Sequence, residues 1–392
     1  MAVHSADLQP RGDSAHETAG LGLRTRRIAM IASLVVVLAV LVSYTAAMLR
    51  PSNSSLGVRS VEWLRDHGAA GLVSEIESIY YSLTAPSKGG PGLRALPRVG
   101  YSVGKPGTAL SPRFAVAQPY QPPRIRPVIH PALAGEGVWR ATSPSAGRYP
   151  PLLVTTFRGE PDYPRLVAGV AWIDTSRTAV SLYPGRQEPS VAVPRGTMDV
   201  PASARRRLLA TFNSGFKLSD SGGGGFALHG VTYAPMRPGM ATVLRYNDGR
   251  VNIIAWPGGA THVAPYIGFA RQNLPLIVNG GRPNPNLGNG PEWGTTVGNA
   301  IRVWRSGIGV DRRGNLLYVA ADNQTVGSLA KVLIRAGAVR AMELDINSYW
   351  VSFITYRHAG ALDPNNLLPS MDRPATRYLS PDDRDFFAVF KR

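Results

Sequence analysis

Arg305-Ser-Gly-Ile-Gly-Val-Asp311 and Met342-Glu-Leu-Asp-Ile-Asn347 bracket the stretch of sequence that decides the fold. The first piece, with Gly314 behind it, reads as two short strands joined by a turn at Asp311-Arg-Arg-Gly-Asn315. Apolar residues then fall at helical spacing, Val326, Leu329, Val332, Leu333 and Ala336, with Thr325 placed to cap the helix and Gly337 to end it. The chain re-enters a strand from Val339 to Asp345. Upstream the texture is one of short strands and turns: Leu152–Phe157, Val167–Ile173, Thr178–Tyr183, Leu208–Phe212, Phe226–Leu228, Ala241–Tyr246 and Val251–Trp256. The last two are joined by Asn247-Asp-Gly-Arg250, a strong hairpin signal. Many strands with one clear late helix predict a mixed α/β (α+β) fold, a single globular domain of mixed sheets with few helices over residues 135–392.

The N-terminal part has a different character. Ile28 to Leu49 is uncharged and free of Gly and Pro, long enough to cross the roughly 30 Å hydrocarbon core of a bilayer as a helix. Arg24, Arg26 and Arg27 precede it and Arg50 alone follows directly, which places the N-terminus in the cytoplasm. The competing reading is a cleaved signal peptide, for which Ser43, Thr45 and Ala47 offer small residues, although its apolar region usually spans only about 7–15 residues. Both put the rest of the chain outside the cytoplasm. The expected organisation is a cytoplasmic tail at 1–27, a transmembrane signal anchor at 28–49, a short helical segment at 50–84, a Pro/Gly-rich tether at 85–134 and the domain at 135–392. The helical segment rests on the spacing of Val61, Leu64, Leu72, Ile76 and Ile79. The expected location is the cell membrane, single-pass, with an extracellular C-terminal domain at a bacterial envelope.

The formal net charge of +18 favours anionic partners. No zinc-ligand spacing, RNP-like aromatic run or basic helix with heptads accompanies it, so nucleic acid is not expected as a partner. The absence of cysteine excludes disulfides, thiolate zinc sites and a cysteine nucleophile. No His-Glu-x-x-His, Gly-x-Ser-x-Gly or EF-hand loop is present; no metal-ligating residues stand out, and the sequence leaves any metal requirement or cofactor open.

Four segments carry candidate chemistry. Asn213-Ser-Gly-Phe216 sets a polar side chain at a strand end before a glycine bend. The run Gly222–Gly225 is either a flexible hairpin loop or a backbone anion cradle, and it lacks the Lys-Thr/Ser of a P-loop. Asn279-Gly-Gly-Arg282 is either a tight turn or a loop that aims Arg282 at an anionic group. In 342–347, alternation puts Glu343, Asp345 and Asn347 on one face and Met342, Leu344 and Ile346 on the other. Two residues along a strand is about 6.6–6.8 Å, inside the roughly 5–9.5 Å that glycosidase carboxyl pairs use. The scattered histidines, His229 and His262 among them, suit structural roles.

The order of these segments resembles that of the phosphodiester glycosidase domain family. There an Asn-Gly-Gly-Phe-Phe segment, an Arg-x-x-x-Gly strand, a helix and a strand ending in Leu-Asp-Gly-Gly-Gly-Ser follow one another. Asn213-Ser-Gly-Phe216, Arg305-Ser-Gly-Ile-Gly309 and Leu344-Asp345 match that order. Ile346-Asn-Ser348 replaces the glycine turn, and Glu343 stands where the family commonly has Asn. The resemblance implies hydrolysis of a sugar linked through a phosphodiester, with Arg305 holding the phosphate and Asp345 in acid/base or nucleophilic work beside Glu343. Asn213 and Asn347 would orient sugar hydroxyls, and Asn279 and Arg282 are further candidate contacts to the substrate. The expected partner is an anionic sugar-phosphate or glycopolymer. The second reading is a non-catalytic domain that binds anionic glycopolymer at the cell envelope; a purely structural envelope protein is the third.

Overall fold

The computed structural model describes residues 14–69, 71–73, 75–76, 83–101, 118–144, 147–288, 291–294 and 302–392. Parts of the expected tail (1–13), helical segment (77–82) and tether (102–117) lie outside the described residues. The chain divides into two units, Met1–Ala70 and Gly71–Arg392.

The first unit holds helix α1 (Ser14–Leu49) and the short helix α2 (Leu56–Leu64). The apolar stretch Thr25–Leu49 has the length and composition of a membrane span or signal sequence.

The second unit is sheet-rich with few helices, the α+β architecture expected from the strand texture. Its strands are β1 (Arg140–Ala141), β2 (Leu152–Phe157), β3 (Ala168–Ile173), β4 (Thr178–Tyr183), β5 (Leu208–Asn213), β6 (Phe226–Leu228), β7 (Val231–Ala234), β8 (Met240–Tyr246) and β9 (Val251–Ala255). They continue with β10 (Ile267–Asn279), β11 (Arg282–Pro283), β12 (Val303–Val310), β13 (Leu316–Gln324), β14 (Arg340–Glu343), β15 (Phe353–His358), β16 (Leu362–Asn366) and β17 (Phe386–Lys391). The larger sheet runs β1-β2-β3-β13-β12-β14-β10-β6-β7, with β11 and the β8–β9 hairpin attached to β10; the smaller runs β16-β15-β5-β17-β4. Every pairing among the described residues is antiparallel.

Helix α3 (Val326–Ala336) explains how β13 and β14 come to flank β12. Those two strands run the same way, so a helical crossover must join them. Thr325 caps α3 through the Ser328 N–H, Ser328 returns the bond, and Gly337 closes it in the left-handed region at φ 108°.

Both faces of the large sheet are covered. Leu152, Ile173, Ile308, Tyr318 and Met342 meet Phe212, Phe353 and Phe387 of the small sheet. On the other face, Leu153, Val170, Trp172 and Leu317 meet Leu329, Val332 and Leu333 of α3. This two-sided burial is why β2, β3 and β12 are buried at every position and show no alternation of buried and exposed residues.

The Pro/Gly-rich stretch expected as a tether lies against the domain in its described parts. The Gly89 N–H donates to the Asp162 carbonyl at 2.9 Å, and Tyr101 forms a bridge with Ala141. Ile125 is buried in the core cluster under α3. Arg158 fixes the stretch by donating to the Pro131 carbonyl at 3.1 Å while paired with buried Glu136 at 2.8 Å. Proline removes ladder donors, so such a stretch can cover a core without signalling itself as strand or helix. Ile125→Ala should therefore cost about 2–5 kcal/mol, the range for truncating a buried Ile. Urea unfolding of residues 71–392 measures it, and a change near zero would restore the tether reading.

Candidate functional site

The ends of β5, β12 and β14 meet where the two sheets face each other. Asn213 ends β5, and its side chain is fully engaged. Its Nδ2 donates to the Ser306 hydroxyl at 3.0 Å and the Ser214 carbonyl at 2.8 Å; its Oδ1 accepts from Tyr318 at 2.9 Å and the Ser352 N–H at 3.1 Å. Two donors and two lone pairs are all that an amide has. Asn213 thus pins the small sheet to the large one and spends its hydrogen-bonding capacity within the protein.

Ser306 carries the connection onward. Leu344 N–H donates to the Ser306 carbonyl at 2.8 Å, whereas Ser306 N–H donates to the Asp345 carbonyl at 2.9 Å. Two residues of one strand therefore oppose one of its partner, a bulge that re-aims the chain beyond it. Glu343 and Asp345 do not continue a plain alternating face; regular pairing stops at Glu343.

Each carboxylate has its own arginine. Glu343 Oε1 accepts from Arg305 Nη1 at 2.6 Å, and Arg305 also donates to the carbonyls of Trp293 at 3.1 Å and Gln324 at 3.0 Å. Glu343 Oε2 is buried with no hydrogen-bond partner among the described residues. Asp345 Oδ2 accepts from Arg384 Nη2 at 3.2 Å, and its Oδ1 from the Asn347 N–H at 3.0 Å. Arg384 also reaches the Gly215 carbonyl at 3.2 Å and lies over the Trp350 ring at 5.0 Å.

Burial pushes both carboxyl groups above the ordinary carboxylate range. For Glu343 burial outweighs the nearby Arg305 charge, and Asp345 adds to the rise. For Asp345 burial outweighs Arg384, the Asn347 and Ile346 N–H groups and Arg377. Paired acids with raised values suit proton transfer.

The other candidates divide between the site and the surface. Asn347 is half-buried in the turn after β14, where its Oδ1 accepts the Tyr349 N–H at 2.9 Å. Ile346 and Phe216 both crowd Gly294. A Cβ at Gly294, whose φ is +97°, would sit 2.6 Å from Ile346. Asn279 and Arg282 do not join the site. They form the exposed turn between β10 and β11, and Asn279 pairs with Arg340 at the opposite end of β14 from Glu343. Antiparallel pairing carries that hairpin away from the carboxyl groups.

Sequence reasoning missed Arg384, Asn273 and Ser214. Asn273 donates to the Glu343 and Leu344 carbonyls, both at 2.8 Å, and so holds the bulge. Its Oδ1, like the hydroxyl of Ser214, is buried without a partner among the described residues. The available signal for Arg384 was the run Asp382-Asp-Arg-Asp385 directly before an apolar strand in a chain with few acids. Asp382 clamps Arg377 through two bonds of 2.7 and 3.0 Å, and Asp385 clamps Arg271 at 2.8 Å.

Arg305, Glu343 and Asp345 all fall inside one family match. Residues 227–345 match the model of the phosphodiester glycosidase family. The phosphodiester glycosidase match thus runs from β6 through Asp345 and leaves Asn213, Asn347, Trp350 and Arg384 outside it. No curated protein matches the chain. Among solved structures, the chain is similar to the catalytic domain of zebrafish N-acetylglucosamine-1-phosphodiester alpha-N-acetylglucosaminidase at 14% identity, TM-score 0.38, over 63% of this chain and 85% of that one. It is also similar to a hypothetical protein from Synechocystis at 17% identity, TM-score 0.32, over 58% of this chain and 59% of that one.

Proposed function

We propose that the domain hydrolyses sugars linked through a phosphodiester in envelope glycopolymers or related conjugates, outside the cytoplasm, with α1 as its membrane anchor. The observation that carries this is the pair of buried, arginine-held carboxyl groups at the β14 bulge, Glu343 with one oxygen that has no partner among the described residues. In this reading Glu343 is the acid and Asp345 the base or nucleophile. Arg305 brings a permanent positive charge beside Glu343, and that charge suits a phosphodiester anion. Asn273 Oδ1 and Ser214 Oγ, which have no partner among the described residues, suit donating sugar hydroxyls. Asn347 borders the same turn.

The test is hydrolysis of a chromogenic sugar phosphodiester by residues 71–392. Saturable binding with no turnover would sink the glycosidase reading. It would favour a non-catalytic domain that binds anionic glycopolymer, to which the full engagement of Arg305 lends some support.

The sign of the pH dependence comes from Glu343. A proton donor works below its pKa, and burial raises this one, so the rate should persist above the ordinary glutamic acid range. It should then fall as pH rises through the raised value. Glu343→Gln should abolish that alkaline limb along with most of the rate, as a kcat–pH profile would record; a variant that kept the wild-type limb would rule out Glu343 as the acid.

A further inference from the structure

Helix α2 is fastened to the C-terminal end of α1 by polar contacts gathered at one level. Trp63 Nε1 donates to Ser43 Oγ at 3.2 Å, His67 Nε2 lies 3.0 Å from the same oxygen, and the Tyr44 and Ser60 hydroxyls are 2.8 Å apart. Tyr44 meets Trp63 edge-on at 5.3 Å, and Trp63 stacks on His67 at 4.4 Å. Arg59 donates to the carbonyls of Ala47 and Arg50, the latter at 2.7 Å.

Each contact answers a need that a bilayer surface creates. The last carbonyls of a helix have no partners within it, and lipid supplies none. A guanidinium at that end satisfies two of them and complements the negative end of the helix dipole. Tyrosine and tryptophan with one polar and one apolar side collect at the headgroup level. At the connection, Leu49 and Leu56 are 79% and 63% exposed, continuing the exposed apolar surface of α1. Ile28 to Tyr44 alone is still a short span by the roughly 17-residue lower limit.

We propose that residues 51–67 fold back on the last two turns of α1 as an interfacial hairpin, seating Tyr44, Trp63 and Arg59 in the phospholipid headgroup layer and keeping α1 as an uncleaved anchor. Ser43 and Ala47, the small residues a signal peptidase would read, are here held in a helix and bonded to α2. The inference rests on α1 being a span.

The test uses the full chain reconstituted into phosphatidylcholine vesicles containing phosphatidylglycerol. Trp63 is the only tryptophan in residues 1–70, and Trp63→Phe is a mild change. Lipids brominated near the headgroup should quench wild-type fluorescence more than lipids brominated near the chain end. Trp63→Phe should lose that vesicle-dependent component, and the chain recovered from membranes should have the mass of an intact N-terminus. Equal quenching of wild type and variant in a chain that floats with the vesicles would overturn the hairpin while leaving the span intact. A membrane-derived chain that starts after Ala47 would overturn it too. Failure to float at all would remove the span and the hairpin together.

Discussion

Asp345→Asn should leave a chromogenic sugar phosphodiester bound while lowering its turnover by about 10²- to 10⁴-fold, the usual contribution of a positioned acid or base. Asparagine keeps the shape of Asp345 but removes the charge. The N–H of Asn347 and the Arg384 guanidinium keep an acceptor on one side only, because an amide has a single oxygen. An interaction made mainly in the transition state appears in kcat with KM nearly unchanged, whereas a collapsed site changes both. Arg384→Lys offers the contrast. Arg384 touches Asp345 and the Gly215 carbonyl and acts as a positioning residue in this scheme, so its loss should alter the pH profile more than the plateau rate. Turnover of Asp345→Asn within tenfold of wild type would remove Asp345 from the chemistry.

The part of this arrangement that was legible in the sequence is local. Thr325 and Gly337 announced the limits of α3, and Asn247-Asp-Gly-Arg250 announced the β8–β9 hairpin, because caps and tight turns are set by a few adjacent residues. The strand after α3 was legible as well, although it ends at Glu343 and not at Asp345. Its bulge was not: the extra residue depends on Ser306 and Asn273, two tertiary partners distant in sequence. Arg384 was hidden for the same reason, since nothing in Asp382-Asp-Arg-Asp385 says which carboxylate its arginine will find. The two Asn-Gly-type segments looked alike in sequence and separated in space. Asn213 sits at the sheet-to-sheet junction with every polar atom used, and Asn279 sits in an exposed turn. Strand order decided that difference, and periodicity carries no information on strand order.

Arg305→Ala should first be a stability variant. Arg305 and Glu343 are both buried, and their contact at 2.6 Å is the charged partner that Glu343 has. Removing one member of a buried pair costs about 3–5 kcal/mol when the other stays charged and uncompensated. Glu343 can escape part of that cost by taking up a proton. Burial already raises its pKa in the folded wild type, and loss of Arg305 removes the main opposing influence, so the folded-state value rises further. A carboxyl with a raised folded value favours the native state below its unfolded pKa and loses that contribution as pH rises through the folded one. The deficit of Arg305→Ala should therefore be largest near neutral or alkaline pH and shrink on acidification. Adding Glu343→Gln should recover much of it, because the stranded charge is gone. Urea unfolding of wild type, both single variants and the double variant at two pH values gives the coupling directly. If Arg305→Ala were instead as stable as wild type yet bound phosphodiesters poorly, the arginine would belong to the ligand and Glu343 would be the accessory.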